Sequence, residues 1–215
     1  MRLNDQSTCL PTPRRPARSA LIGLTLFTLL VGTAPAAESE TKTSFQSGGK
    51  KIRVEQFEPA REGKFPAVVF LYGVDGLHKD NEKAFRGAAR TAANKGFVVL
   101  LVHYHDRTAG SLKDPRALLK PFQERLRNPA AGGKEQQALR QSFDAWAETV
   151  RDAVAHVRAL PSVDGTRVAL VGFSLGGFLA ATVAAEPQQR IGAVVTLFAG
   201  SRGTRAPSSN TSPAP

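Results

Sequence analysis

Short apolar runs separated by amphipathic stretches are what most constrain the fold of this chain. Pro66–Tyr72 reads PAVVFLY and Phe97–His103 reads FVVLLVH, and Arg167–Val171 and Ala193–Phe198 add two more runs. Each is short, apolar and bounded by glycine or charged residues, the pattern of a strand buried on both faces. Lys51–Phe57 alternates instead, with Ile52, Val54 and Phe57 apolar, as a half-buried strand does. Helical patterns fall between the runs. Asp80–Lys95 places Ala84, Phe85, Ala88, Ala89 and Ala92 on one face, and Gly96 follows as a stop. Glu135–Leu160 carries Leu139, Phe143, Trp146, Val150, Val154 and Val157 in one stripe, ended by Pro161. Ser174–Glu186 is small and apolar, as suits a helix packed closely on a sheet. Strand and helix in alternation predict an α/β protein with a mostly parallel sheet flanked by helices. Residues 106–134 are a charged connection, expected to hold a short helix over one end of the sheet.

The ends of the chain read differently. Arg14, Arg15 and Arg18 lead into the apolar run Ala20–Val31, and Ala34 and Ala36 supply the small side chains that a signal peptidase requires. The run is about a dozen residues, short of the ~20 needed to cross a bilayer. Residues 1–36 are therefore expected to be a cleaved signal peptide, with a periplasmic or secreted product and no stable membrane anchor. Residues 37–50 are polar and read as a flexible lead-in, and 51–200 read as the folded domain. Residues 201–215 have almost no apolar residues and read as a disordered tail. The lone cysteine, Cys9, lies in the leader, so the rest of the chain has no disulfide, thiolate nucleophile or cysteine metal site. The net charge of +11 is scattered, without a long basic run or a nucleic-acid motif, so no nucleic-acid partner is expected.

Chemistry concentrates in Gly172-Phe173-Ser174-Leu175-Gly176. This G-x-S-x-G follows the strand RVALV directly and opens a helix, the context in which the motif forms a nucleophile elbow. A serine on so sharp a turn holds its hydroxyl out beyond the sheet, and glycines two residues to either side remove side chains that would clash. Gly177 is expected to let the helix approach the neighbouring strand. The helix start aims free N–H groups at developing negative charge. A second element, Leu71-Tyr72-Gly73-Val74-Asp75-Gly76, follows the first fully buried strand. There such folds place the other oxyanion donor. The two donors are then the backbone N–H groups of Val74 and Leu175.

With these pieces in order, the chain resembles the dienelactone hydrolase family of α/β-hydrolases. The resemblance rests on PAVVFLYGVDGL at 66–77, FVVLLVHYHDRT at 97–108 and VDGTRVALVGFSLGG at 163–177. It implies an α/β-hydrolase fold and hydrolysis of a small ester or lactone through a covalent acyl-enzyme on Ser174, with no metal or organic cofactor. The best-known members carry cysteine at the elbow, so Ser174 groups this chain with the serine-bearing relatives.

A serine nucleophile needs a base, and in α/β-hydrolases the order is Ser, then Asp or Glu, then His. After Glu186 the sequence has no Asp, Glu or His. The expectation is therefore an incomplete domain that lacks its C-terminal strands, from a truncated or frame-shifted gene, with little activity as this chain. The other reading is a non-catalytic binding protein that retains the pocket. The histidines are His78, His103, His105 and His156. His156 is expected at the surface of the long helix. His103 and His105 close a central strand at the same edge as Ser174, with Asp106 adjacent.

Overall fold

The computed structural model describes residues 39–197. The expected leader and the expected tail lie outside the described residues. The chain runs β1 (Ser39–Ser47), β2 (Lys50–Glu58), β3 (Phe65–Leu71), α1 (Glu82–Asn94), β4 (Val98–Val102), α2 (Leu119–Arg127), α3 (Lys134–Arg158), β5 (Val163–Phe173), α4 (Leu175–Ala184) and β6 (Ala193–Leu197). Short 3-10 turns at Tyr104–Thr108 and Pro115–Leu118 fill the connection before α2, where the sequence predicts a helical segment.

The strands form one sheet in the order β1-β2-β4-β3-β5-β6. β1 and β2 pair antiparallel, as do β2 and β4, and the remaining neighbours are parallel. Residues 39–47, expected as part of a flexible lead-in, are thus a strand. Gly48 and Gly49 turn the chain with φ of 49° and 74°, the two left-handed residues that a two-residue hairpin with the twist of its strands requires. The polarity of β1 reflects an edge strand with one solvated face.

The two faces of the sheet are covered unequally. Strand alternation sends Ile52, Val54, Val69, Leu71, Leu100 and Leu170 toward α3, where they are fully buried with Trp146, Val150 and Val154. The 3.6-residue stripe of α3 thus meets the period-two stripe of the strands, and this interface is the core. Phe45 on the same side stacks on His156 at 5.3 Å. His156 is therefore half-buried rather than a surface residue: burial lowers its pKa, and its Nε2 is buried with no hydrogen-bond partner among the described residues. The opposite face carries α1, which rests on β4 and β2. Toward β5 and β6 that face opens: Ala169, Val171 and Phe173 are half-buried and β6 is exposed throughout.

Candidate active site

The elbow is built by backbone geometry. Ser174 has φ 52° and ψ −118°, a conformation that a residue with a Cβ avoids. It persists because its neighbours leave no other path. A Cβ on Gly172 would lie 2.1 Å from the carbonyl oxygen of Gly176, and one on Gly176 would lie 2.4 Å from that of Tyr72 and 2.6 Å from that of Leu71. Both glycines of the motif are thus required by contact with backbone, which cannot give way. Gly176 makes a close approach of the helix to β3. Ser174 donates its N–H to Leu197 O at 2.8 Å and accepts from Gly177 N at 2.9 Å, so β6 and the first turn of α4 pin the turn from two sides.

The second loop meets this turn. β3 and β5 are parallel neighbours with Leu71 opposite Gly172. A Cβ on Gly73 would lie 3.3 Å from Ser174 Cβ. Val74, the next residue, is buried, and Gly76 donates to Gly73 O at 3.0 Å to close the loop. The Tyr104 hydroxyl donates to Tyr72 O at 2.9 Å and fixes the end of β3. Leu175 opens α4, so its N–H belongs to the helix's first turn, where no intrahelical acceptor exists. The structure therefore brings Ser174, Leu175 and the Gly73-Val74 loop together at one edge of the sheet.

A cavity of about 350 Å³ adjoins Ser174. Phe70, Phe85, Phe173, Ala84 and Ala88 form its apolar wall, and Asp75, Asp80 and Asn81 stand with Ser174 on its polar side. Sequence patterning marked Phe85, Ala84 and Ala88 as a core face of α1. Facing the open part of the sheet, they line a cavity instead. Phe70 was hidden in a strand read as uniformly buried, and Phe173 in the G-x-S-x-G turn. The signal for them was parity: each sits on the side of its strand opposite α3.

The histidines stand apart. Neither His103 nor His105 lines the Ser174 cavity. His103 Nε2 lies 3.0 Å from Glu55 Oε1, and Arg86 Nε donates to Glu55 Oε2 at 2.6 Å. Burial pushes the Glu55 carboxyl upward, but the hydrogen bonds from Arg86 and His103 outweigh it and hold it below its ordinary value. Burial likewise lowers His103, with Glu55 opposing. Asp106 accepts from Arg53 Nε at 2.9 Å and from Arg53 Nη2 at 2.8 Å. His105 packs among Tyr72, Tyr104 and Trp146 with ring centroids 5.2, 4.4 and 5.0 Å away. Burial pulls its pKa down to about 4. Among the described residues no group of His, Cys, Asp or Glu is arranged to hold a metal ion, and no helix is long and apolar enough to cross a membrane.

Comparison with known proteins agrees with this geometry. The family model described as "Dienelactone hydrolase family" matches residues 52–214. Among solved structures, one named m3DLH is 28% identical with a TM-score of 0.54, the match covering 74% of this chain and 59% of that one. A dienelactone hydrolase-like promiscuous phosphotriesterase from metagenomic libraries is 24% identical with a TM-score of 0.54, covering 75% of this chain and 59% of that one. A dienelactone hydrolase from Anabaena variabilis is 21% identical with a TM-score of 0.50, covering 74% and 63%. The chain thus spans about three-fifths of the length of these structures. The comparison with curated proteins gives no match.

Proposed function

The chain belongs to the dienelactone hydrolase family of α/β-hydrolases, and from that premise we propose that its site cleaves an ester or lactone bond of a small molecule through an acyl-enzyme on Ser174. The observation that carries this reading is the strained Ser174 backbone, held by two glycines whose Cβ positions are blocked by backbone atoms. Strain of this kind persists where a function needs it.

In the proposed reaction Ser174 Oγ attacks the carbonyl carbon, and the former carbonyl oxygen carries the negative charge of the tetrahedral intermediate. The N–H groups of Val74 and Leu175 receive that charge, a contribution usually of several kcal/mol. The intermediate collapses with cleavage of the ester C–O bond, and the proton from Oγ passes to the departing alcohol. Water then attacks the acyl-enzyme, releases the acid and returns a proton to Ser174. The proton carrier in both halves is a base, and none of the described histidines lines the cavity. The 215-residue chain is therefore expected to turn over orders of magnitude more slowly than an enzyme with a complete triad. The same observation favours a second reading, a binding protein that uses the cavity without chemistry.

A fluorophosphonate probe tests the choice. Peptide mapping of a labelled protein in which the missing C-terminal strands, helix and triad partners are restored is expected to find the adduct on Ser174 and none in its Ser174→Ala variant. An adduct on another serine, or no adduct under forcing probe concentrations, supports the binding protein. The basic start, the apolar run and Ala34–Ala36 support export to the periplasm or medium. Sequencing of exported protein should then begin near Ala37, and a start at Met1 would refute export by a cleaved leader.

A further inference from the structure

We propose that the Ser174 cavity is shaped for an ester that carries a cationic group, a quaternary ammonium above all. The ester bond rests on the proposed hydrolase reaction at Ser174, and the cation on the residues that line the cavity. Three phenylalanine rings stand in a row along that wall. Phe70 and Phe85 are 5.4 Å apart between centroids, and Phe85 and Phe173 meet edge to face at 5.9 Å. Ring faces attract cations through their quadrupole, and a site walled by several rings suits an ammonium whose methyl groups also take up apolar contact. Ala84 and Ala88 leave the space between the rings open.

The ionisable side chains lining the cavity point the same way. They are Asp75 and Asp80, both carboxylates, in a chain whose net charge is +11. Asn81 is taken up by the loop, accepting from His78 N at 2.9 Å and donating to Gly76 O at 2.9 Å. Outside the rim, a polar hollow that shares Asp75 and Asp80 adds His78, Lys79, Asp114 and Arg116. There Arg116 is engaged by Asp114 at 3.1 Å. An anionic substrate would meet two carboxylates and a wall of aromatic rings, and no cation is among the lining residues to receive it. A cationic one would meet the two carboxylates beside the rings.

Ligand-observed NMR titration of the full chain carrying Ser174→Ala tests this without interference from hydrolysis. The probes are acetylcholine, its uncharged carbon isostere 3,3-dimethylbutyl acetate, and the anionic ester 4-acetoxybutanoate. Acetylcholine is expected to bind about tenfold more tightly than the isostere, with the anion weakest. Asp75 and Asp80 are exposed, so Asp75→Asn with Asp80→Asn leaves the fold intact while reducing the preference about threefold, and Phe85→Leu removes most of the remainder. Equal or tighter binding of the isostere or the anion overturns the proposal. A preference that survives all of these variants also overturns it, as does an absence of binding by all the probes. Labelling of Ser174 without a cation preference leaves the hydrolase reading standing and removes this one. A cation preference with an unlabelled Ser174 does the reverse.

Discussion

Two segments reach the same edge of the sheet and are built on opposite principles. The elbow, residues 172–177, has no acid or base of its own. Its character lies in a strained backbone and in glycines pressed against neighbouring carbonyls. The segment after β4, His103 to Thr108, is crowded with titratable side chains, yet they are committed to structure. His103 is held by Glu55, Asp106 by Arg53, and Trp146 donates to Thr108 Oγ1 at 3.0 Å. His105 is packed among rings. Among the described residues no hydrogen bond engages Ser174 Oγ. The contrast teaches that a histidine near the right edge is not a base. A base must reach the serine hydroxyl and be free of other partners, and these side chains meet neither condition.

The contrast breaks most visibly at Gly176. An added Cβ there would sit 2.4 Å from Tyr72 O, a clash that neither β3 nor α4 relieves without moving. Gly176→Ala is expected to lose about 4 kcal/mol or more, enough to abolish a cooperative thermal transition. A melt by circular dichroism within about 1 kcal/mol of the parent would show that the elbow is not tightly held.

The histidine segment predicts a pH effect of intermediate size. Burial lowers His105 from an ordinary 6.5 to about 4. The unfolded chain then binds this proton more readily than the folded one between those values. Stability from this group is complete above about pH 6.5, falls as the pH drops toward 4, and changes little more below it. The upper bound is on the order of 3 kcal/mol. Urea unfolding at stepped pH is the measurement, and His105→Gln should flatten the curve in that window. An unchanged slope in the variant would assign the acid lability elsewhere.

The smallest effect has the opposite sign. Ser174→Gly releases the strained φ at the expense of a more flexible unfolded chain, and a net gain of about 1 kcal/mol is expected. In a domain of this size that raises Tm by about 2–4 °C. A lower Tm would mean that the serine side chain contributes packing that outweighs the strain.

Sequence made the parallel core legible because its strands are buried on both faces and therefore read as uninterrupted apolar runs. β3 and β4 announced themselves this way, and α3 did so by its stripe; β5 and β6 read as the same kind of apolar run, although one face of β5 is half-buried and β6 is exposed. The elbow was legible because its demands fall on residue types: only glycine tolerates 172 and 176. β1 was hidden because SETKTSFQS buries little beyond Phe45 and Ser47, and the Gly48-Gly49 turn was its one sign. The burial of His156 depends on that same missed strand, since Phe45 is what covers it. The cavity was hidden for another reason. Whether Phe70 and Phe173 enter a core or a pocket depends on how far α1 extends across the sheet, and periodicity carries no information on coverage.

One amide links the turn pressed most closely against its neighbours to an exposed edge strand. Ser174 N–H is bonded to Leu197 O, on a strand whose Val194, Val195 and Leu197 are 44%, 46% and 43% exposed. A strand so little buried opens more often than the core behind it. Each opening of β6 releases the tether on the serine while the glycine contacts to β3 stay in place. The turn at Ser174 therefore has two clocks, a slow one set by global unfolding and a fast one set by the fraying of an edge.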